Sequence, residues 1–336
     1  MASFSQIIGQ RSAKDRIRPL LSGRPEQVYL ITGPEGIGKR LFAHEMAKVL
    51  LCTHPTEDGA CGACPSCHYL EESTHPDFIR LSPQPGEKNI KVAQVREKVV
   101  FDVSLYPQIS GRKVYLIEAD GLNEEGQNAL LKTLEDTPSS VVILLTVSDT
   151  DKLLGTILSR AVNVKLSPNT DEEICQILSA KTDLDGKRIL LISTISKGIP
   201  GTALRIAGDE SLPEIREFVS DMLNAIPQIR VSDLLTERYA FFEDNKERIN
   251  EVLTILQMGI GDIAQLVTDP RSSFLRVIDK RDNIIRMIEN KQLTVTSVDR
   301  ASVAVSEASK AVNSNYSFES AVCTMLLTIQ KEFAHA

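Results

Sequence analysis

The stretch "ITGPEGIGKR", Ile31–Arg40, decides how the first half of the chain folds. It leaves an apolar run, "VYLIT" at Val28–Thr32, and enters three glycines and a Gly-Lys pair. A loop of this kind, set between a strand and a helix, turns backbone N–H groups toward phosphate oxygens. Gly33, Gly36 and Gly38 permit the turn, and Lys39 is placed to reach the outer phosphates. The pattern G-x-x-x-x-G-K-[ST] then breaks, because position 40 is Arg. A Ser or Thr there would ligate magnesium through its hydroxyl oxygen; a guanidinium has no acceptor to offer.

The second acidic motif is short in the same direction. After the apolar run "KVYLI" the chain reads "EADG", with Glu118 followed by Ala119 and with Asp120 two residues on. A working hydrolase presents adjacent acids there, one for the metal and one to orient water. Two motifs that fail together point to a nucleotide fold that does not hydrolyse ATP by itself, and they leave ATP or ADP in its own site in doubt.

Around this loop, short apolar runs alternate with helical patterns. Strands are predicted at "VYLITG", "DFIRLSP" (Asp77–Pro83), "RKVYLIEAD" (Arg112–Asp120), "VVILLTVS" (Val141–Ser148) and "AVNVKLSP". Helices are predicted at "KRLFAHEMAKVLLC", at "KVAQVREKVVFDV" with Val92, Val95 and Val99 on one face, and at "EEGQNALLKTLED". Strands separated by helices predict an α/β domain with a parallel sheet covered on both faces. After "SPNTDEE" the strands stop, and Asn169 or Thr170 can cap a helix from Asp171. The rest reads as helix: Ile249, Val252, Leu253, Leu256, Ile260 and Ile263 share a face, and "FLRVIDKRDNIIRMI" and "ESAVCTMLLTIQKEF" repeat the theme.

The totals suit a folded protein: 336 residues, 42% hydrophobic, 25% charged. No apolar run reaches the roughly 18 residues of a membrane span, and "MASFSQIIGQ" lacks the marks of a signal peptide. The expectation is a cytoplasmic protein with no membrane partner. A net charge of −7 argues against generic nucleic-acid binding by the whole molecule, though a local basic face is compatible with it.

Four of the six cysteines, Cys52, Cys61, Cys64 and Cys67, fall at spacing C-x8-C-x2-C-x2-C. In a reducing compartment such a cluster points to metal, and four thiolates suit a closed, structural zinc site. An iron–sulfur cluster or unpaired thiols are the alternatives. Cys175 and Cys323 sit in helical patterns and read as core residues. "KLLGTILSRA" contains Ser159-Arg160, open to two readings. One is a surface arginine at a helix end. The other is an arginine finger, which stabilises a transferring phosphoryl group on a neighbour.

The pieces together resemble the bacterial clamp-loader branch of the AAA+ ATPases. The resemblance is carried by "IIGQ", "GPEGIGK", the four cysteines, "VAQVRE", "KVYLIEAD", "NALLKTLED", "KLLGTILSR" and "KGIPGTAL", and it extends to Leu204. It implies three parts: an AAA+ phosphate-loop domain over residues 1–167 with an inserted zinc module at 52–67, a small helical lid over 168–208, and an all-α collar over 209–336. It makes Gly33, Gly36, Gly38 and Lys39 a degenerate nucleotide loop, and Arg160, next to Ser159, the arginine completing an adjacent motor subunit's ATP site. Ala161 replaces the family's cysteine in that motif. Gly201 falls where motor subunits carry a nucleotide-sensing arginine, and Ser148 falls near the family's polar sensor. The implied partners are gamma or tau motor subunits and a delta subunit in a pentameric ring, a sliding clamp, and primer–template DNA. Lys132 reads either as lining the DNA-facing interior or, preferably, as a solvated helix residue. The competing readings are an ATP-hydrolysing motor subunit and a zinc-dependent DNA-binding protein with a vestigial loop.

Overall fold

The computed structural model describes residues 3–21, 25–56, 59–272, 275–314 and 316–334. Five parallel strands, β1 (Val28–Thr32), β2 (Phe78–Leu81), β3 (Lys113–Glu118), β4 (Val141–Val147) and β5 (Val162–Lys165), form one sheet in the order β2-β3-β4-β1-β5. Each matches a predicted strand. Every residue of β1, β3 and β4 is buried, as a sheet covered on both faces requires. Alternate residues divide between two cores. Tyr29, Ile31, Leu116 and Leu144 pack with Phe42, Met46 and Leu50 of the helix Lys39–Leu51. Leu30, Tyr115, Ile117 and Leu145 pack with Val95, Val99, Leu130 and Leu134 on the other face. Each such large side chain contributes about 1.5–3 kcal/mol on burial.

This strand order decides where chemistry can occur. β1 lies beside β4, and β4 beside β3. The loop after β1, Glu118 at the end of β3 and Ser148 after β4 therefore meet at the carboxyl edge, where open α/β sheets bind ligands.

The chain divides into two compact units. One holds the chain up to Lys181 with Ser196–Leu204; the other holds Thr182–Ile195 and the chain from Arg205 on. In the first, Thr170 proves to be the cap of the helix Asp171–Lys181. Glu173 N–H donates to Thr170 Oγ1 at 3.2 Å, and Thr170 N–H donates to Glu173 Oε2 at 3.1 Å. Asn169 instead donates to the Ile8 carbonyl at 3.1 Å.

The second unit is helical. The helix Ile249–Thr268 buries all six residues predicted to share its inner face. The stretch "FLRVIDKRDNIIRMI" departs from expectation, since its helix begins only at Arg281; Phe274 lies outside the described residues. Buried Asp262 explains the departure, because its carboxylate accepts the N–H groups of Arg276, Val277 and Ile278 at 2.7–3.1 Å. Those donors cannot then serve a helical ladder. The helices Val295–Val312 and Phe318–Ala334 complete the unit. Cys175 and Cys323 are half-buried, not core residues as expected. Among the described residues, no helix is long and apolar enough to cross a membrane.

Candidate functional site

Gly36 and Gly38 adopt φ of 77° and 101°, a region that side chains disfavour, so the loop takes the predicted tight path into the helix Lys39–Leu51. A cleft of 640 Å³ opens beside it, lined in part by Gly36, Lys39, Arg40, Glu118, Asp120 and Ser148. The sequence-predicted loop residues and both acids are thus brought together.

Their hydrogen bonds are turned inward. Lys39 Nζ donates to the carbonyls of Gly33 at 2.8 Å and Pro34 at 3.0 Å, and to Ser148 Oγ at 2.8 Å. Burial holds this amine below the ordinary lysine range, with the Asp120 carboxylate pulling the other way. Asp120 in turn accepts Ser148 N–H and Oγ–H, each at 2.9 Å. Asp120 therefore serves the end of β4.

Glu118 carries the main finding. Its carboxylate is buried, and it is held between two guanidinium groups: Arg40 on Oε2, and Arg80 on Oε1 at 2.9 Å. Arg80 stands on β2 and was not anticipated from the sequence. Nothing in its local pattern marks it; only the β2–β3 pairing brings it near Glu118. Two cations thus neutralise the carboxylate that a magnesium ion would need.

Gly201 N–H donates to the Gly36 carbonyl at 2.9 Å. A Cβ at Gly201 would lie 2.8 Å from that oxygen and 2.9 Å from Gly36 Cα. Gly201 is therefore packed directly on the loop.

Cys52, Cys61, Cys64 and Cys67 converge, with all four Sγ atoms within 4.8 Å of one another. Four of the sulfur–sulfur distances are 3.5, 3.9, 4.0 and 3.5 Å. A tetrahedron with metal–sulfur bonds of about 2.3 Å has edges of about 3.8 Å, whereas a disulfide needs about 2.05 Å. Backbone N–H groups of Cys61 and Ala63 point at Cys52 and Cys61 sulfur, at 3.3 and 3.5 Å, which suits thiolates. The donor set fits a closed metal site.

Beneath the cluster lies a buried polar latch. Ser66 Oγ donates to the Leu51 carbonyl at 2.7 Å and lies 2.8 Å from His75 Nε2, with Ser110 Oγ 3.1 Å from the same nitrogen. Asp77 N–H donates to His75 Nδ1 at 3.0 Å, so the imidazole proton sits on Nε2 and points at the hydroxyls. In that tautomer His75 cannot deprotonate either serine, so the trio is structural despite its composition. The Asp77 carboxylate accepts Gln108, Ile109 and Ser110 N–H at 2.6–2.8 Å.

Arg160 follows the short helix Gly155–Leu158 and is partly exposed. Its Nη1 donates to the Thr156 carbonyl at 2.8 Å and to Ser159 Oγ at 3.3 Å. Its Nη2 donates to Glu135 Oε1 at 2.6 Å, at the end of the helix Glu124–Glu135. Buried Gln127 ties that helix to the same segment, donating to the Lys152 carbonyl and accepting Leu154 N–H, both at 2.9 Å. Lys132 is exposed on that helix. Arg160 makes its hydrogen bonds to Thr156, Ser159 and Glu135, and none to the glycine loop of its own chain.

Comparison with known proteins adds the following. A family model described as DNA polymerase III, delta subunit, matches residues 10–170. DNA polymerase III subunit delta' of Pseudomonas aeruginosa is 38% identical over 221 residues, 64% of this chain and 66% of that protein. The delta' subunit of Escherichia coli is 31% identical over 186 residues, 55% of each chain. These matches span less than two thirds of either relative's length. DNA polymerase III subunit gamma of Buchnera aphidicola is 36% identical over 273 residues, 76% of this chain and 73% of that protein.

Proposed function

This chain belongs to the DNA polymerase III subunit family that includes delta' and gamma, and we propose that within it the chain serves as a delta'-type stator of the clamp loader. It does not hydrolyse ATP. It supports ATP-dependent loading of a sliding clamp onto primed DNA, and it donates Arg160 to the ATP of a neighbouring motor subunit. As water attacks the γ-phosphorus and the bond to ADP breaks, negative charge grows on the transferring group, and the guanidinium stabilises it.

The observation that carries this reading is the arginine pair on Glu118. A magnesium site requires that carboxylate to face a divalent ion. Arg40 both removes the metal's hydroxyl ligand and, with Arg80, supplies the compensating charge. Lys39 spent on its own loop and Gly201 packed on Gly36 support the same direction.

The family resemblance supports the remaining assignments. The four cysteines hold a structural zinc ion. The partners are gamma or tau motor subunits and a delta subunit in a pentameric ring, with the clamp and primer–template DNA bound by the whole complex in the cytoplasm. The functional division is a nucleotide-binding-like domain, a lid and a collar, and Lys132 remains a solvated helix residue. The test is reconstitution of the complex with Arg160→Ala. DNA-stimulated ATP hydrolysis should fall by about 10³-fold or more. An unchanged rate would overturn the finger role, and turnover by the isolated chain with Mg·ATP would overturn the stator role.

A further inference from the structure

Arg160 is held before any neighbour arrives, and the way it is held singles out one further residue. Both Nη1 contacts, to the Thr156 carbonyl and Ser159 Oγ, come from the preceding short helix and the residue that caps it. The third contact comes from elsewhere: Glu135 Oε1 accepts from Nη2 at 2.6 Å. Among the described residues Nε–H has no hydrogen-bond partner. The guanidinium has five N–H donors in a rigid fork. Nη1 and Nη2 are thus engaged within the chain, and Nε–H is left among the donors that can meet a phosphate.

We propose that Glu135 is a positioning residue for Arg160, holding the guanidinium in one orientation so that its remaining N–H donors meet the neighbouring subunit's phosphate. The inference rests on the arginine-finger reading above. A pair this exposed, one third for Arg160 and one half for Glu135, adds little to the stability of the fold. Its effect lies in orientation. An arginine free in solution samples many rotamers and must lose them when the charged transition state forms; one already held loses fewer. The carboxylate is itself well placed, because Gln127 fixes its helix against the segment that leads to Arg160.

The experiment uses the reconstituted complex with Glu135→Ala, Arg160→Ala and the double variant, alongside the free full-length chain. Glu135→Ala should lower kcat for DNA-stimulated hydrolysis about three- to tenfold, the factor expected when one rotamer-rich side chain loses its ordering. KM for ATP should stay within about twofold, since only the transition state is affected. In the Arg160→Ala background Glu135→Ala should add nothing. Glu135→Gln, which keeps the acceptor, should recover part of the rate. In the free chain, phenylglyoxal should label Arg160 several-fold faster once Glu135 is removed, as read by mass spectrometry. An unchanged kcat overturns the proposal, as does an equal loss in the Arg160→Ala background. If Arg160→Ala itself leaves hydrolysis unchanged, the finger reading has failed; if Arg160→Ala matters and labelling is indifferent to Glu135, the positioning contact alone has failed.

Discussion

The backbone N–H of Gly201 donates to the carbonyl of Gly36 at 2.9 Å, and this close approach leaves no room for a side chain at 201. A Cβ there would stand 2.8 Å from the same oxygen, and the obstacle is backbone, not a flexible side chain. Gly201→Ala should therefore destabilise the protein by about 1–3 kcal/mol, the usual cost of overpacking. Urea denaturation checks this. An unshifted midpoint would mean that the loop yields without cost.

The two arginines on Glu118 back each other up. Removing either leaves the buried carboxylate one cation, and each guanidinium is half exposed or more, so single replacements by Ala should cost about 1 kcal/mol or less. Removing both strands a buried charge, at a cost on the order of 3 kcal/mol. A double-mutant cycle by denaturation should thus be clearly non-additive. By the same logic Arg40→Ser alone should not confer Mg·ATP turnover, because Arg80 still occupies Glu118.

The four-cysteine cluster should be coupled to a distant loop. Ser66 sits between Cys64 and Cys67 in sequence, and it meets Leu51, His75 and Ser110. Cys64→Ser should abolish binding of one zinc per chain, measured by metal analysis. Hydrogen exchange should then rise not only across 52–67 but also at 108–110, whose N–H groups are held by Asp77. Exchange confined to the cysteine module would contradict the coupling.

Stability should weaken on mild acidification through His75. Burial holds its imidazole below the ordinary histidine value, with the Asp77 carboxylate opposing. The folded chain keeps it neutral, while the unfolded chain takes up a proton near pH 6.5. Below that point the unfolded state binds more protons, so stability is present above it and declines as pH falls toward the lower folded value. Asp77 acts elsewhere. Burial raises its carboxyl, but N–H bonds from Gln108, Ser110 and Ile109 outweigh that and hold it below the usual range. Its contribution is full above about pH 4 and is lost only below. The denaturant midpoint of the wild type should drop between pH 7.5 and 6.0, and that of His75→Gln should drop less.

The sheet and the loop were legible because their signals are local. Five apolar runs became five strands, and the glycine spacing in "GPEGIGK" required the observed turn. Arg40 announced the lost metal ligand from its position alone. Arg80 did not, because its relation to Glu118 exists only once β2 lies beside β3. Glu135 was equally silent, 25 residues from Arg160 along the chain. The helix misplaced at 275–280 has the same cause: Asp262 takes its donors from a segment well outside any helical period. Side chains that bind distant backbone leave no periodic trace in sequence.

Lys39 has a consequence for any attempt to load this site. Its ammonium already has three tethered acceptors, the Gly33 and Pro34 carbonyls and Ser148 Oγ. These compete, within the chain, with any incoming phosphate for the same ammonium. An incoming anion gains only the difference between two sets of hydrogen bonds, not the whole of one. Loading the loop would accordingly be an exchange of acceptors at Lys39, so its affinity for nucleotide is expected to fall below what the intact glycine pattern suggests.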